Sequence, residues 1–352
     1  MKALIAMSGG VDSAVAAFLM QKEGYDCAGA TMLLCDSDLL GRTPPDIAAD
    51  AKAVAEKLHM DFHTLECAQD FQQNVVEPFI RCYETGGTPN PCVECNRYLK
   101  FGAFWETALS MGFDCIATGH YARIEQHPET GRYLLYRAGD RSKDQTYFLY
   151  SLTQHQLEHT RFPLGQLTKA EAREIAEEQG FLNAKKRDSQ DICFIPDGDY
   201  LSFMKRYTKS TYPDGDYLDL NGKVIGRHSG AVGYTIGQRK GLGIALGAPA
   251  YVVDKDMAAN TVTLGSNEDL MRTTLRAGDW NWIPFPTLDA PIRVMAKVRY
   301  RHTEQPATVY PEENGYARVV FDEPQRAITT GQAVVLYDDD LLIGGGTITE
   351  VL

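Results

Sequence analysis

Met7-Ser8-Gly9-Gly10-Val11-Asp12-Ser13 follows the apolar run Ala3 to Met7. It precedes Ser13 to Glu23, where Val15, Phe18 and Leu19 recur at helical spacing. A buried strand, a glycine turn and a helix are therefore expected in immediate succession. Two glycines let the backbone turn tightly and bring several N–H groups together, and the helix start adds partial positive charge behind them. Ser13 is placed to cap that helix. The product is a nest for an anion at the end of a strand. Asp12 inside the nest is unfavourable beside phosphate unless it holds Mg²⁺ against it.

Outward from this turn the alternation continues. Ala28 to Leu34 predicts a strand, Asp46 to Leu58 a helix and Asp61 to Leu65 a strand. Asp70 to Tyr83 and Lys100 to Met111 predict helices, and Cys115 to Thr118 a strand ending at Gly119-His120. Strands separated by such helices form a parallel α/β sheet covered on both faces, with its ligand site at the carboxyl ends of the strands. After about Tyr207 the texture changes to short β runs broken by Asp214-Gly215, Asn221-Gly222 and Gly241-Leu242-Gly243. Three domains are expected: residues 1–207 with the parallel sheet, a small β-rich unit at 208–270, and a C-terminal β-barrel-like unit at 271–352, with short strands at Pro291 to His302, Ala317 to Phe321, Ala333 to Tyr337 and Gly346 to Val351. The length of 352 residues suits that division.

Composition narrows the function. Lys plus Arg is 35 against 47 for Asp plus Glu, a net charge of −12, which argues against wholesale, sequence-blind nucleic-acid binding but leaves room for local basic patches. No apolar run approaches the ~18–20 residues of a membrane span, and MKALIAM is too short for a secretory core. A cytoplasmic, reducing location is expected, so structural disulfides are not.

The eight cysteines then need an account. Cys27, Cys35, Cys67, Cys82 and Cys115 lie in or beside apolar elements and suit small buried hydrophobes. Cys92-Val93-Glu94-Cys95 follows Gly86-Gly87-Thr88-Pro89-Asn90-Pro91, a stiff segment expected to be an exposed loop. A C-x-x-C pair can be metal ligands, a redox dithiol, or a nucleophile with its neighbour. Cys193, in Asp188-Ser189-Gln190-Asp191-Ile192-Cys193-Phe194, can fold back onto it. A reactive thiol should have a lowered pKa, and Lys100, Arg97 and a helix start after Asn96 are the candidate causes.

There is no G-x-x-x-x-G-K-[ST], so the loop is not that of a P-loop NTPase. SGGVDS instead resembles the PP-loop of the N-type ATP pyrophosphatases. The resemblance implies ATP cleavage between the α- and β-phosphates to adenylate a substrate oxygen. It makes Ala6, Met7, Ser8, Gly9, Gly10, Val11, Asp12, Ser13, Met32 and Gly119 the ATP-binding positions. Four further strings, TPNP-x-x-x-CN, DS-x-x-ICF, Lys143-Asp144-Gln145-Thr146-Tyr147-Phe148-Leu149 and Gly233-Tyr234-Thr235-Ile236-Gly237-Gln238-Arg239-Lys240-Gly241, resemble the tRNA-specific 2-thiouridylases over essentially the whole chain.

That resemblance implies a tRNA-uridine 2-sulfurtransferase acting on the wobble uridine. Cys193 would take sulfur as a persulfide from a sulfur-donor or relay protein. Cys95 would be the nucleophile that assists sulfur release. Asn90, Pro91, Cys92, His120, Lys143, Asp144, Gln145, Tyr300, Arg301 and Gln332 would contact tRNA. Many family members carry Asp where this chain has Cys92, so Cys92, Cys95 and Cys193 also resemble thiolases holding a [4Fe–4S] cluster with one open iron.

Positive charge for a polyanion is concentrated in clusters. In Arg293-Val294-Met295-Ala296-Lys297-Val298-Arg299-Tyr300-Arg301, strand alternation puts Arg293, Lys297, Arg299 and Arg301 on one face. Lys185-Lys186-Arg187, Lys205-Arg206 and Arg239-Lys240 are others. The rival functions are a PP-loop synthetase acting on a small molecule, which needs neither loop thiols nor a C-terminal β domain, and a non-catalytic metal or redox module, which leaves SGGVDS unexplained.

Overall fold

The computed structural model describes residues 1–35, 39, 47–182, 192–245 and 247–352. The first part runs β1 (Lys2–Ala6), α1 (Val11–Lys22), β2 (Asp26–Leu33), α2 (Ile47–Lys57) and β3 (Asp61–Glu66). Two longer helices follow, α3 over residues 68–84 and α4 over residues 91–110, then β4 (Cys115–Ala117), the hairpin β5 (Ala122–Gln126) and β6 (Tyr133–Arg137), α5 (Gln154–Glu158), β7 (Thr160–Arg161), α6 (Lys169–Glu178) and α7 (Tyr200–Thr208). β3, β2, β1, β4 and β7 lie side by side in that order, every pair parallel.

Alternation along β1 explains why both faces are covered. Leu4 points to one side with Ala28, Ile116, Phe101 and Trp105. Ala3 and Ile5 point to the other, with Val15 of α1 and Ala172 and Ala176 of α6. All of these are buried.

Two expectations need correction here. Cys92-x-x-Cys95 is not in a loop, because α4 begins at Pro91 and carries both thiols in its first turns. Proline suits the first helical position, where its missing N–H has no helical acceptor to reach. The second concerns the basic stripe. The strand there ends at Lys297, and residues 298–302 turn away from the sheet.

β8 (Gly215–Leu218), β9 (Val224–His228), β10 (Tyr251–Asp256) and β11 (Thr261–Gly265) form a four-stranded sheet in the order β10-β11-β8-β9. The last part comprises β12 (Met271–Trp282), β13 (Ile292–Lys297), β14 (Gln305–Pro311), β15 (Ala317–Arg326), β16 (Ala333–Asp338) and β17 (Leu341–Val351). β12-β15-β14-β13-β16-β17 close into a barrel through the β12–β17 pairing, around Leu275, Val319, Val334 and Ile348. β12 and β17, at twelve and eleven residues, are longer than the short runs expected.

The hairpin β5–β6 extends this barrel sheet, with Tyr136 opposite Leu341. Arg137 reinforces the joint by reaching Glu304 at 2.8 Å and lying over the Tyr337 ring at 3.8 Å. No helix among the described residues is long and apolar enough to cross a membrane.

Candidate active site

The turn after β1 is built around Gly9, whose φ of +68° is the left-handed conformation that favours glycine. Gly10 precedes α1 and no side chain caps the helix there. The expected cap by Ser13 is therefore not made. Ser13 lies inside the helix, where its hydroxyl donates to the Gly10 carbonyl at 3.1 Å and accepts the Ser8 N–H at 3.2 Å, cinching the turn from within. Met7 and Val11 are buried beneath it, Ala6 pairs with Ala30 in β2, and Met32 is half-buried at the end of that strand. Gly119, just past β4, presses against the turn so closely that a Cβ there would sit 2.7 Å from the Asp12 carbonyl carbon and 2.8 Å from the Ser13 nitrogen.

Asp12 does not face the nest alone. Lys169, at the start of α6, places its ammonium 2.7 and 2.8 Å from the two carboxylate oxygens, and the Tyr121 hydroxyl donates to one of them at 2.9 Å. Neither partner was anticipated. Lys169 is 157 positions away, and the only signal near it is the Thr168/Glu171 capping box that starts its helix.

The thiols gather nearby. Cys95 is buried, whereas Cys92 and Cys193 keep a solvent-exposed face. All three are free, and each thiol is held above its ordinary value by the protein crowded around it. Burial is the largest cause for Cys193, pushed up to about 12, followed by the neighbouring Cys95 and Cys92. The expected lowering is thus overturned. Lys100 does pull all three downward, but burial outweighs it. Arg97 is engaged elsewhere, forking onto Asp279 of β12. Of the remaining cysteines, Cys67 and Cys115 are buried and Cys27, Cys35 and Cys82 are half-buried.

His120 connects the loop to the thiols. It follows Gly119, accepts or donates a 2.8 Å hydrogen bond with Thr118 through Nδ1, and packs against the rings of Phe101 and Phe162. Burial first, and Lys100 second, hold its pKa well below the ordinary value. The field of Lys100 therefore reaches His120 on one side and Cys92, Cys95 and Cys193 on the other. Asn96 anchors this stretch of α4 by donating to the Phe148 carbonyl at 2.9 Å.

The other predicted positions fall into two groups. Gln332 of the barrel donates to the Thr88 and Pro89 carbonyls at 3.0 and 2.9 Å, so it clamps the segment that carries Asn90 and Pro91 into α4. Asp144 accepts from Ala138 N–H and Thr146 Oγ1, and Gln145 accepts from Tyr121 N–H, all within the fold. Lys143 begins the same turn with its N–H on the Asp140 carbonyl. Tyr300 packs on Phe148 with ring centroids 4.4 Å apart, and Arg301 beside it is exposed.

The basic stripe is divided by its neighbours. Arg293 pairs with Asp322 of β15 at 2.7 Å. Lys297 lies over the Tyr147 and Tyr300 rings. Arg299 is turned inward onto Ile236 O, Ala327 O and Thr329 Oγ1. Lys205-Arg206 and Arg239-Lys240 are exposed, while Lys185-Lys186-Arg187 and Asp188 to Asp191 lie outside the described residues.

A parallel sheet whose first turn is SGGVDS, with two β domains after it, defines the PP-loop class of nucleotide-binding transferases. Family models match the chain in order: one described as a tRNA methyl transferase HUP domain over residues 1–197, a tRNA methyl transferase PRC-barrel domain over 201–266, and an aminomethyltransferase beta-barrel domain over 272–348. A tRNA-specific 2-thiouridylase MnmA of Clostridioides difficile (strain 630) is 47% identical over 100% of this chain and 99% of its own length. A tRNA-specific 2-thiouridylase MnmA 2 of Clostridium botulinum (strain Hall) is 49% identical over 99% and 98%. The chain belongs to the tRNA-specific 2-thiouridylase family. Among solved structures, a 4-thiouridine synthetase–RNA complex with bound ATP shares 18% identity and a TM-score of 0.36 over 55% of this chain and 45% of that one, too loose a likeness to build on.

Proposed function

We propose that this chain is an ATP-dependent tRNA-uridine 2-sulfurtransferase acting on the wobble uridine. The observation that carries the reading is the continuity just described: Gly119 touches the anion nest, and next to it His120 shares the Lys100 field with Cys92, Cys95 and Cys193. That chain of neighbours supports a site in which a phosphate-activating loop and sulfur nucleophiles act together. Family membership supplies the substrate class.

The chemistry follows from what each group can do. Uridine O2 attacks the α-phosphorus of ATP seated in the nest, and pyrophosphate leaves. Backbone N–H groups and the start of α1 stabilise the phosphate charge. The terminal sulfur of a Cys193 persulfide attacks C2, and AMP departs with the original oxygen. The Cys95 thiol then attacks Cys193 Sγ, the electron pair of the broken S–S bond leaves with the C2 sulfur, and the thiol proton passes to the departing thiouridine. The resulting Cys95–Cys193 disulfide is reduced by an external thiol, and a donor or relay protein reloads Cys193. A uridine reacting at C2 must leave its stack, and Asn90, Pro91, Cys92 and His120 are the proposed contacts of the flipped base. Lys143, Asp144, Gln145, Tyr300, Arg301 and Gln332 are the proposed tRNA contacts around it.

Asp12 is the residue that would hold Mg²⁺, once Lys169 gives up one of the two carboxylate oxygens it now holds; bound there, the metal would neutralise phosphate charge. Three neighbouring thiols also suit a [4Fe–4S] cluster on Cys92, Cys95 and Cys193, which would supply an open iron for exogenous sulfide. The methyl-transfer wording of the family models is less apt, since methyl donation makes no use of a phosphate nest.

The test is anaerobic incubation of the protein with ATP, Mg²⁺, a sulfur donor and unmodified tRNA, followed by mass analysis of the wobble nucleoside and iron assay. Sulfur at C2 with one AMP and one pyrophosphate released per turnover is expected. Cys95→Ser and Cys193→Ser should each abolish it while retaining ATP binding. ATP consumption indifferent to tRNA would overturn the reading in favour of a small-molecule synthetase. Activity strictly proportional to bound iron would replace the persulfide with the cluster.

A further inference from the structure

At the far end of the sheet from the anion nest, α5 ends in a group with no part in the chemistry above. His155, Glu158 and His159 fall at i, i+3 and i+4, so they share one face of the last helical turn. Their ligand-bearing atoms all lie within 4.8 Å of one another. His159 leads into β7, and its carbonyl accepts the Ile116 N–H of β4, which ties the group to the strands' entry side.

Hydrogen bonding defines which nitrogens carry lone pairs. The Asp114 carbonyl can only accept, so His159 Nδ1, 3.2 Å away, carries the proton and leaves Nε2 with a bare lone pair. The Trp105 indole N–H can only donate, so His155 Nε2, 3.2 Å away, is likewise unprotonated. Trp105 also stacks on His159 with centroids 4.5 Å apart and planes 13° from parallel, which holds that ring in place. An imidazole oriented through its other nitrogen by a carbonyl is the usual support for a metal ligand.

We infer that His155, Glu158 and His159 form a binding site for a divalent transition metal such as Zn²⁺ or Ni²⁺. Two imidazole nitrogens and one carboxylate select these ions over Mg²⁺ or Ca²⁺, which want oxygen donors. Metal–nitrogen bonds of about 2.1 Å require the ligand atoms to draw up to about 1.4 Å closer. His155 and Glu158 are exposed and can turn to do so, while His159 stays. The remaining coordination position is left to water. On binding, His155 releases the Trp105 N–H, so the ion becomes visible to that indole. An ion held only by the folded chain also raises the unfolding temperature, by an amount that grows with the logarithm of its concentration above Kd.

Titration of the full chain with NiCl₂ and ZnCl₂, its thiols first blocked with N-ethylmaleimide, is followed by indole fluorescence and thermal unfolding. A saturable fluorescence change and a rising melting temperature are expected. Trp105→Phe should lose the fluorescence change while keeping the thermal shift. His155→Ala, Glu158→Gln and His159→Ala, each folded by circular dichroism, should weaken binding by about tenfold or more. A titration unaltered in these three variants, or absent once the thiols are blocked, would overturn the site.

Discussion

The Lys169 ammonium bridges both oxygens of the Asp12 carboxylate, at 2.7 and 2.8 Å, in the turn that forms the anion nest. A loop designed for phosphate thus contains its own ion pair, joining the first helix to one that starts 157 positions later. With Asp12 one-third exposed, the pair's direct contribution to stability is only about 1 kcal/mol. Its consequence under the proposed function is electrostatic: with ATP in the turn, the ammonium would face the arriving phosphate charge. Lys169→Met should therefore weaken ATP binding about tenfold, or about 1.4 kcal/mol, with little change in melting temperature. Asp12→Asn should instead slow pyrophosphate release by on the order of 100-fold. Isothermal titration and a pyrophosphate assay separate the two, and unchanged ATP affinity in Lys169→Met would show that the lysine serves Asp12 alone.

Gly119 supports the same turn sterically. The atoms a Cβ would meet at 2.7 and 2.8 Å are backbone atoms of Asp12 and Ser13, which cannot rotate aside. Gly119→Ala should cost about 1–3 kcal/mol and abolish ATP binding by displacing the nest. At Gly10 the nearest atom to an added Cβ is Ser8 Oγ at 3.4 Å, an ordinary contact, and the backbone there has φ of −97°. Gly10→Ala should melt as the wild type does. Equal losses in the two variants would refute the distinction.

What was legible follows a physical divide. SGGVDS is contiguous, and its glycines and helix start act on one another locally, so the strand, turn and helix around it and the parallel sheet could be read from the chain alone. The C-x-x-C was seen but misplaced. TPNP suggested a loop, and the wide turn at Cys95–Ala103 breaks the 3.6-residue period that would have revealed α4. The basic stripe failed for a third reason. Alternation along one strand says nothing of the next strand, where Asp322 sits, nor of a strand ending at Lys297. Lys169 and Tyr121 were out of reach because their partnership with Asp12 exists only after folding.

The thiols give a pH signature. Folding moves the Cys193 pKa from 9.0 to about 12, so the folded chain holds that proton more tightly than the unfolded one. Its stabilising effect is complete below about 9 and is lost as pH rises through 12. Unfolding should thus become easier across that window, and Cys193→Ser should flatten the dependence. Alkylation of Cys193 by iodoacetamide should keep accelerating above pH 9, where an unstructured thiol levels off. A plateau near pH 7 would contradict the burial that dominates this site.

The three arginines of the barrel stripe should separate in a tRNA-binding assay. Arg293 spends its guanidinium on Asp322 across an exposed surface, so Arg293→Ala should change neither affinity nor melting temperature appreciably. Arg299 is half-buried and donates to two carbonyls and a hydroxyl that link the turn after β13 to Ile236 of the middle domain and to Ala327 and Thr329. Removing it leaves those acceptors short of a donor, so Arg299→Ala should lower stability by about 1–3 kcal/mol and weaken tRNA binding only through that loss. Arg301 is exposed beside Tyr300, itself packed on Phe148, and is the phosphate contact proposed above. Arg301→Ala should weaken tRNA binding with no thermal penalty and reduce the slope of log affinity against log salt by about one. Filter binding at several salt concentrations reads both quantities. An unchanged slope would move the RNA contact off this turn, to the exposed pairs Lys205-Arg206 or Arg239-Lys240.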